Sequence, residues 1–423
     1  MTGSDAAVAP SAERRKAGGV LRRLAGSPMV GSPARGRTLA RHLAVAVVAL
    51  AIMWYLTDHV EAFYDFQIAT IAAYLCVVAG LTVLTGLNGQ VSLGHSALMA
   101  VGAYTVGLLL SKLNDHNVRA QWTVLLALAL GVLTTSVAGV VIGLAAARLR
   151  GPYLAGLTLA IVVVVPSIAT QFGSLFHGDQ GVPVPAPPAP TSLGQFFPQE
   201  EWDAWIALAA AGITLFFLAN LVHGRVGRNL RAVRDHEAAA QLAGINVART
   251  QVTAFVVSAA CAGLGGGVIA VINQSASPDS FALTLSLYLL LAIVLGGLGS
   301  LYGAIWGSVA IVWLPYLTNK VMNGLTLSAA EAAKLRGNVP LAIFGLALVI
   351  IAIAAPGGIQ GLLRRAGRWA RARFASRVPQ PPSSTGRRPE TSPPQGGATH
   401  RQAAGPEGLP PTTPSAPTSE VTT

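Results

Sequence analysis

Four uncharged polar side chains crowd into eight residues of one glycine-rich segment. They are Asn88, Gln90, Ser92 and His95, within Gly86-Leu87-Asn88-Gly89-Gln90-Val91-Ser92-Leu93-Gly94-His95, and Gly102-Ala103-Tyr104-Thr105 follows shortly. Amides, hydroxyls and an imidazole without fixed charge suit hydrogen bonding to a polar solute in an unwound stretch of a membrane protein. They equally suit fixing neighbouring helices where glycines let backbones approach, and both readings stay open here. Asn88, Gln90, Ser92, His95 and Tyr104 are therefore candidates to line a substrate pathway. A second break, Leu295-Gly296-Gly297-Leu298-Gly299-Ser300-Leu301-Tyr302-Gly303, lies in the other half of the chain and has a similar composition. Paired interruptions of apolar segments point to a transporter core, which adds Gly296, Gly297, Gly299 and Ser300 to the pathway candidates.

A third segment is polar. In Gly227–Val247, Leu230, Val233 and Leu242 can share one side of a helix, while Arg231, Arg234 and Glu237 recur every three residues on the other. Gly244 then stands where a glycine ends a helix. An amphipathic helix of this kind lies on a membrane surface or docks in a groove of another protein.

Other chemistry is missing. There is no GxxxxGK[ST] phosphate cradle; the chain has four lysines and none follows a glycine. Any ATP hydrolysis is therefore expected on another chain. Cys76 and Cys261 each lie inside an apolar run, outside any CxxC or Cys/His cluster, so no metal or cofactor is expected on this chain. His223 and His236 neighbour Asp235 and Glu237 in no catalytic spacing, which argues against an enzyme.

The elements that must position these motifs follow from composition. Of 423 residues, 52% are hydrophobic and only 11% charged, with mean hydropathy +0.55. A soluble domain carries about a quarter charged residues. The apolar residues fall in long continuous runs, so the fold class is an all-α polytopic membrane protein and not a β-barrel. The net charge of +12 is confined to the ends: residues 1–41 hold eight Lys/Arg against two acids, residues 356–423 nine against three, and the middle is neutral. Basic ends beside apolar spans read as cytoplasmic segments near anionic lipid, not as a nucleic-acid surface.

Spans are expected at about Leu43–Leu56, Ile68–Leu84, His95–Leu110, Trp122–Ala147, Pro152–Thr170, Ala204–Val222, Val252–Ile272 and Pro340–Ala355. Leu283–Leu317 is apolar but broken at Gly296–Ser300. The loops Asp58–Phe66 and Phe172–Asp203 are acidic and lack Lys or Arg, so they are external, while the arginine-rich turns are cytoplasmic. With a cytoplasmic N-terminus, the basic C-terminal tail stays inside only if Leu283–Leu317 crosses twice, giving about ten spans. The domains are a basic tail over 1–41, a membrane body over 42–363 with a cytoplasmic loop over 223–251, and a basic then Pro/Ser/Thr-rich disordered tail over 364–423. No Asp, Glu, Lys or Arg lies deep in an expected span, which argues against an ion-coupled secondary transporter.

In combination these segments resemble the permeases of branched-chain amino acid ABC importers, of the Liv type and most like its LivM members. The matching pieces are GLNGQVSLGHSALMAVGAYT, LRGPYLAGLTLA, GDQGV, GRNLRAVRDHEAAAQLAGINVARTQVTAFVVSAACAGLGG, LLLAIVLGGLGSLYGAIWGS and PGGIQGLL, in family order over about residues 66–363. The resemblance implies an inner-membrane subunit that works with a LivH-like second permease, two ATPase subunits and an extracytoplasmic solute-binding protein. It implies leucine, isoleucine and valine as cargo, although permeases of this type also serve urea, short amides and other amino acids. It further makes Arg231, Arg234, Glu237, Ala238, Ala239 and Gly244 the loop that receives the ATPase stroke. This loop resembles the EAA loop of importers, with one residue more before its glycine. The acids of the external loop, Asp179, Glu200, Glu201 and Asp203, either pair with basic patches on that binding protein or belong to a solvated loop whose charges only keep it outside; both readings stay open.

Overall fold

Apolar helices that are hydrophobic all round must be buried or face lipid, and both kinds occur. The structure is a computed structural model that describes residues 62–118, 120–149, 151–194, 197–323 and 357–375, with isolated positions between 342 and 350. The expected first span and the far parts of both tails lie outside the described residues, as does most of the expected last span. The helices are α1 (Ala62–Leu81, continued by a π turn, Thr82–Leu87), α2 (His95–Asp115), α3 (Gln121–Ala146) and α4 (Pro152–Gln171). They continue as α5 (Gln199–His223), α6 (Arg225–Asp235), α7 (Glu237–Leu242), α8 (Val247–Ile272), α9 (Leu283–Gly296), α10 (Leu301–Asn323) and α11 (Gly358–Ala375). The chain divides into two units, residues 1–370 and 371–423; of the second, only the end of α11 is described.

Among the described residues, seven helical segments are long and apolar enough to cross a membrane, and Leu301–Leu317 is a shorter apolar one. The expected total of ten also counts stretches that are not described. Two spans begin well before their apolar runs. Thus α1 starts at Ala62 with Asp65 in its first turn, and α5 starts at Gln199 with Glu200 and Glu201 in its own. Carboxylates favour a helix N-terminus electrostatically, so residues that hydropathy assigns to loops are helical. Asn246 caps the start of α8, its Oδ1 accepting from Arg249 N at 2.9 Å.

Helix α8 is the centre. Its glycines let three neighbours close in: a Cβ on Gly265 would overlap Val77 and Ala73 of α1, one on Gly266 the Met99 backbone of α2, and one on Gly263 Thr135 of α3. Helices α1 and α8 are buried over most of their circumference. By contrast α3, α4 and α5 leave Leu125, Val141, Val163 and Ile213 outside, an apolar exterior suited to lipid or a membrane-embedded partner.

The broken segment folds back on itself. Gly296 lies against Gly303, and Ala292 against Gly307, which is an antiparallel register for α9 and α10. The apolar stretch 283–317 is thus two antiparallel helices, of which the described apolar part of the second, Leu301–Leu317, is shorter than a full span. At the other end of α8, Ser275–Ala276 pairs with Val182–Pro183 in a two-residue antiparallel bridge. Val182 and Val184 are buried there over Gly107 of α2. The proline-rich stretch after Val182 is extended, as its composition requires.

Candidate functional site

The three motifs meet at one place. The π turn widens the end of α1, and the chain then leaves the helix at Gly89, where φ is +77°. Gly86, in that turn, lies so close to Gly299 of the second break that a Cβ would overlap the Gly299 backbone nitrogen and Cα. Arg234, from the third motif, donates from Nη1 to the Gly86 carbonyl at 2.8 Å. Its methylene stem covers Gly89, where a Cβ would come within 2.8 Å of the arginine Cγ. Arg231 donates from Nη2 to the carbonyl of Val222, in the last turn of α5, at 2.7 Å. Carbonyls at helix C-termini lack intrahelical partners and attract cations, so the two arginines staple α6 to the ends of α1 and α5.

This corrects one expectation. Gly227–Gly244 is not one helix: the chain is extended at His236, whose Nδ1 accepts from Ala239 N at 3.2 Å and caps α7. Leu230 and Val233 are buried, but beyond the break Leu242 is 92% exposed. The six expected coupling residues therefore divide. Arg231 and Arg234 turn toward the spans, and Glu237 accepts from Gln251 Nε2 at 3.1 Å, while Ala238, Ala239 and Gly244 face outward beside Leu242. Gly244 has φ +80°, as expected of a glycine that ends a helix.

From Gly89 the chain re-enters the bundle. Thr85 Oγ1 donates to the Gln90 carbonyl, Asn88 Nδ2 donates to Gln90 Oε1 at 2.9 Å, and Leu93 N donates to Thr158 Oγ1 of α4 at 3.0 Å. Ser92 is buried in the same stretch, where its Oγ accepts from Gly94 N at 3.3 Å. Helix α2 then starts well inside: His95 Nε2 is 2.7 Å from Ser258 Oγ. Ser258 lies eleven residues into α8, roughly 16 Å from its start at the usual helical rise. Next to it, Ser96 bonds Ser286 of α9 through both its backbone N–H and its hydroxyl, at 3.0 and 2.8 Å. This buried node of His95, Ser96, Ser258 and Ser286 joins three helices. Among the described residues, Asn88 Oδ1, His95 Nδ1 and the Tyr104 hydroxyl are buried with no hydrogen-bond partner. Leaving such groups unpaired costs about 1–3 kcal/mol each, and two of them, on Asn88 and His95, lie at either end of the re-entrant stretch.

A cavity of about 730 Å³ opens between Asn88–Val91, the α3–α4 turn and the Val233–Ala238 loop. Asn88, Gln90, Arg234 and Glu237 line it; Gly296, Gly297, Gly299 and Ser300 are not in its lining, Gly299 lying against Gly86 and Gly296 against Gly303. Tyr104 is separate. It lies farther along α2, edge-on to Phe176 at 5.1 Å, near the β bridge. The structure adds Ser258, Ser286 and the exposed Leu242 to the residues of interest. For the two serines, the only signal in the sequence is a hydroxyl inside the apolar runs VVSAACAG and LTLSLYLL, where Ser286 shares the run with Thr284 and Tyr288.

The acids expected in external loops also divide. Asp179 and Glu200 are exposed, but Asp65 and Glu201, in the first turns of α1 and α5, and Asp203, just beyond, are buried. Asp203 Oδ1 accepts from Gln199 Nε2 at 3.0 Å. Helix formation through these residues turns them against the neighbouring span. Gly181 of the GDQGV piece packs on the Ala276 carbonyl, so this motif forms the seam between two loops.

Comparison with known proteins places the chain. Residues 64–352 match the family described as "Branched-chain amino acid transport system / permease component". The high-affinity branched-chain amino acid transport system permease proteins LivM of Salmonella typhimurium and Escherichia coli are each 30% identical over 292 residues, covering 63% of this chain and 66% of theirs. A probable branched-chain amino acid transport permease LivM of Methanocaldococcus jannaschii is 26% identical over 44% of this chain and 54% of its own. The chain thus spans about 66% of the length of the first two relatives. No solved structure matches it. With the family match covering the spans, both glycine breaks and the arginine staples, the chain belongs to the branched-chain amino acid transport permease family.

Proposed function

We propose that the chain is the membrane-spanning subunit of an ATP-driven ABC importer that carries leucine, isoleucine and valine inward. It binds no cofactor itself. A second, LivH-like permease completes the pathway, two ATPase subunits bind on the cytoplasmic side, and a solute-binding protein delivers cargo outside. The end that carries α6 and α7 is cytoplasmic, as are both termini, and the β-bridge end is external.

The observation that carries this reading is the joining of Arg234, Gly86 and Gly299. A permease without an ATP site must receive work mechanically. Helix α7 offers the ATPase Leu242, Ala238 and Ala239, a small exposed apolar knob. Its motion passes to α6 and through the two guanidinium staples to the ends of α5 and α1. Gly86 then shifts against Gly299, and the re-entrant segment Asn88–Gly94 moves with it. Uncharged groups along that segment suit a solute that is released soon after entry, since tight binding in the path would slow transport.

The test is reconstitution in liposomes with the partner permease, the ATPase subunits and a leucine-loaded binding protein. Leucine accumulation that requires ATP is expected. Accumulation by this chain alone, without the ATPase subunits, overturns the reading.

A further inference from the structure

Helix α11 has two unlike sides. Leu362, Leu363, Ala366 and Trp369 recur at three- and four-residue spacing along one of them. Leu362 is 44% exposed, Leu363 46% and Trp369 61%. Arg364, Arg365 and Arg368 are exposed along another side. The sequence adds Arg371, Arg373 and Arg377, and it holds no Asp or Glu between Lys334 and Glu390. In water, an exposed apolar stripe would favour association; beside an unopposed row of arginines it has a different natural covering.

The placement of the helix supplies the rest. Its first residues pack on the second glycine break, where Gly358, with φ +65°, lies against Gly297. Arg364 Nη2 reaches Ser300 Oγ at 3.3 Å. That break is the turn between two apolar antiparallel helices, so it lies at one end of the bundle, where a membrane surface would be. At 18 residues α11 has the length of a short span, but five arginines along it make it a poor one.

We propose that α11 lies flat on the membrane at the Gly297–Ser300 end and binds anionic lipid. Leu362, Leu363, Ala366 and Trp369 enter the boundary between headgroups and acyl chains, while Arg364, Arg365 and Arg368 meet lipid phosphates. Trp is suited to that depth, and arginine stems reach outward from it. The helix thereby ties the turn between α9 and α10 to the lipid surface. This inference does not depend on which solute the chain carries.

The test uses the full chain in lipid nanodiscs, with Leu363→Cys labelled by an environment-sensitive fluorophore and Gly361→Cys as the control on the polar side. Nothing lies within 4 Å of a Cβ at Gly361, and the native Cys76 and Cys261 are buried and escape labelling. In discs of phosphatidylglycerol mixed with phosphatidylcholine, the label at 363 is expected to shift to the blue and resist aqueous iodide, and the label at 361 is not. Phosphatidylcholine alone should weaken the effect, as should high salt. The Arg365→Gln/Arg368→Gln variant should lower occupancy of the surface about twenty-fivefold, at about fivefold per arginine, with emission at 361 unchanged because the helix persists. Equal shielding in both lipids and in detergent micelles overturns the proposal in favour of cover by protein. Shielding that grows with the number of copies per disc overturns it in favour of a second copy of this chain.

Discussion

The guanidinium of Arg234 and the carbonyl of Gly86 are 2.8 Å apart although 148 residues separate them in the chain. The bond joins a polar loop to the end of a buried span, and the same glycine touches the second break at Gly299. Arg234, expected in the loop that receives the ATPase stroke, is thus bonded to the bundle itself. Arg234 also pairs with Asp235 at 2.8 Å, but both side chains are substantially exposed, and exposed ion pairs contribute only about 0–1 kcal/mol. The carbonyl bond and the packing on Gly89 therefore hold the arginine more firmly than the ion pair does.

Arg234→Gln is therefore expected to lower ATP-driven uptake ten- to hundredfold, corresponding to the roughly 1.5–3 kcal/mol of a charged hydrogen bond. ATP hydrolysis by the assembled importer should continue, because α7 is still present to dock. Asp235→Asn should change uptake less than about twofold, in keeping with the weak exposed pair. Uptake and phosphate release measured on the same proteoliposomes check this, and a parallel fall of both would mean that the arginine only supports assembly.

The contact of Gly86 with Gly299 makes a second prediction. Gly86→Ala places a methyl group where the Gly299 backbone stands, so the two breaks must separate. Transport is expected to fall severely while membrane insertion is kept. Gly156, near the start of α4, has open space around its Cβ position. Gly156→Ala should leave transport unchanged and, by removing backbone freedom, raise stability by up to about 1 kcal/mol. Uptake assays and thermal melts of the two variants side by side separate steric separation of the breaks from a general intolerance of alanine.

How far the sequence carries can be judged from these same residues. Apolar runs reveal the span order, and glycine clusters mark both breaks, because each of those signals is local. That Gly86 meets Gly299 is a long-range fact with no local trace. A helical period carried through His236 puts Leu242 beside Leu230, whereas the backbone at His236 is extended and the two leucines part. Hydropathy alone starts α1 and α5 too late, because acidic first turns lower the hydropathy of residues that are nonetheless helical. Ser258 and Ser286 sit within apolar runs, and only packing shows that they face His95 and Ser96.

Leu242 provides a third test. At 92% exposure it makes almost no contribution to the fold of this chain. Leu242→Asp should leave the melting temperature of the isolated subunit unchanged, since exposed substitutions usually stay within about 0.5 kcal/mol. It should abolish co-purification with the ATPase subunits, because a charge would be forced into an apolar socket. Retention of the ATPase by the variant would place the docking contact elsewhere on the loop.

The last prediction concerns the buried node. If the 2.7 Å pair of His95 and Ser258 serves only to hold α2 on α8, then removing either partner destabilises the subunit without altering affinity for the solute. Interhelical hydrogen bonds of this kind contribute about 0.6 kcal/mol on average and up to about 1.7. The unpaired Nδ1 of His95 and Oδ1 of Asn88 point to an additional role, since buried polar atoms need partners that a passing solute can supply. Ser258→Ala is therefore expected to lower stability by roughly 1 kcal/mol with KM for leucine unchanged, whereas Asn88→Ala should raise KM with little loss of stability. A cycle of His95→Ala, Ser258→Ala and the double variant, followed by both melting temperature and uptake kinetics, assigns each residue. An unchanged KM in Asn88→Ala would remove the re-entrant segment from the solute path and leave it a structural link between Arg234 and α2.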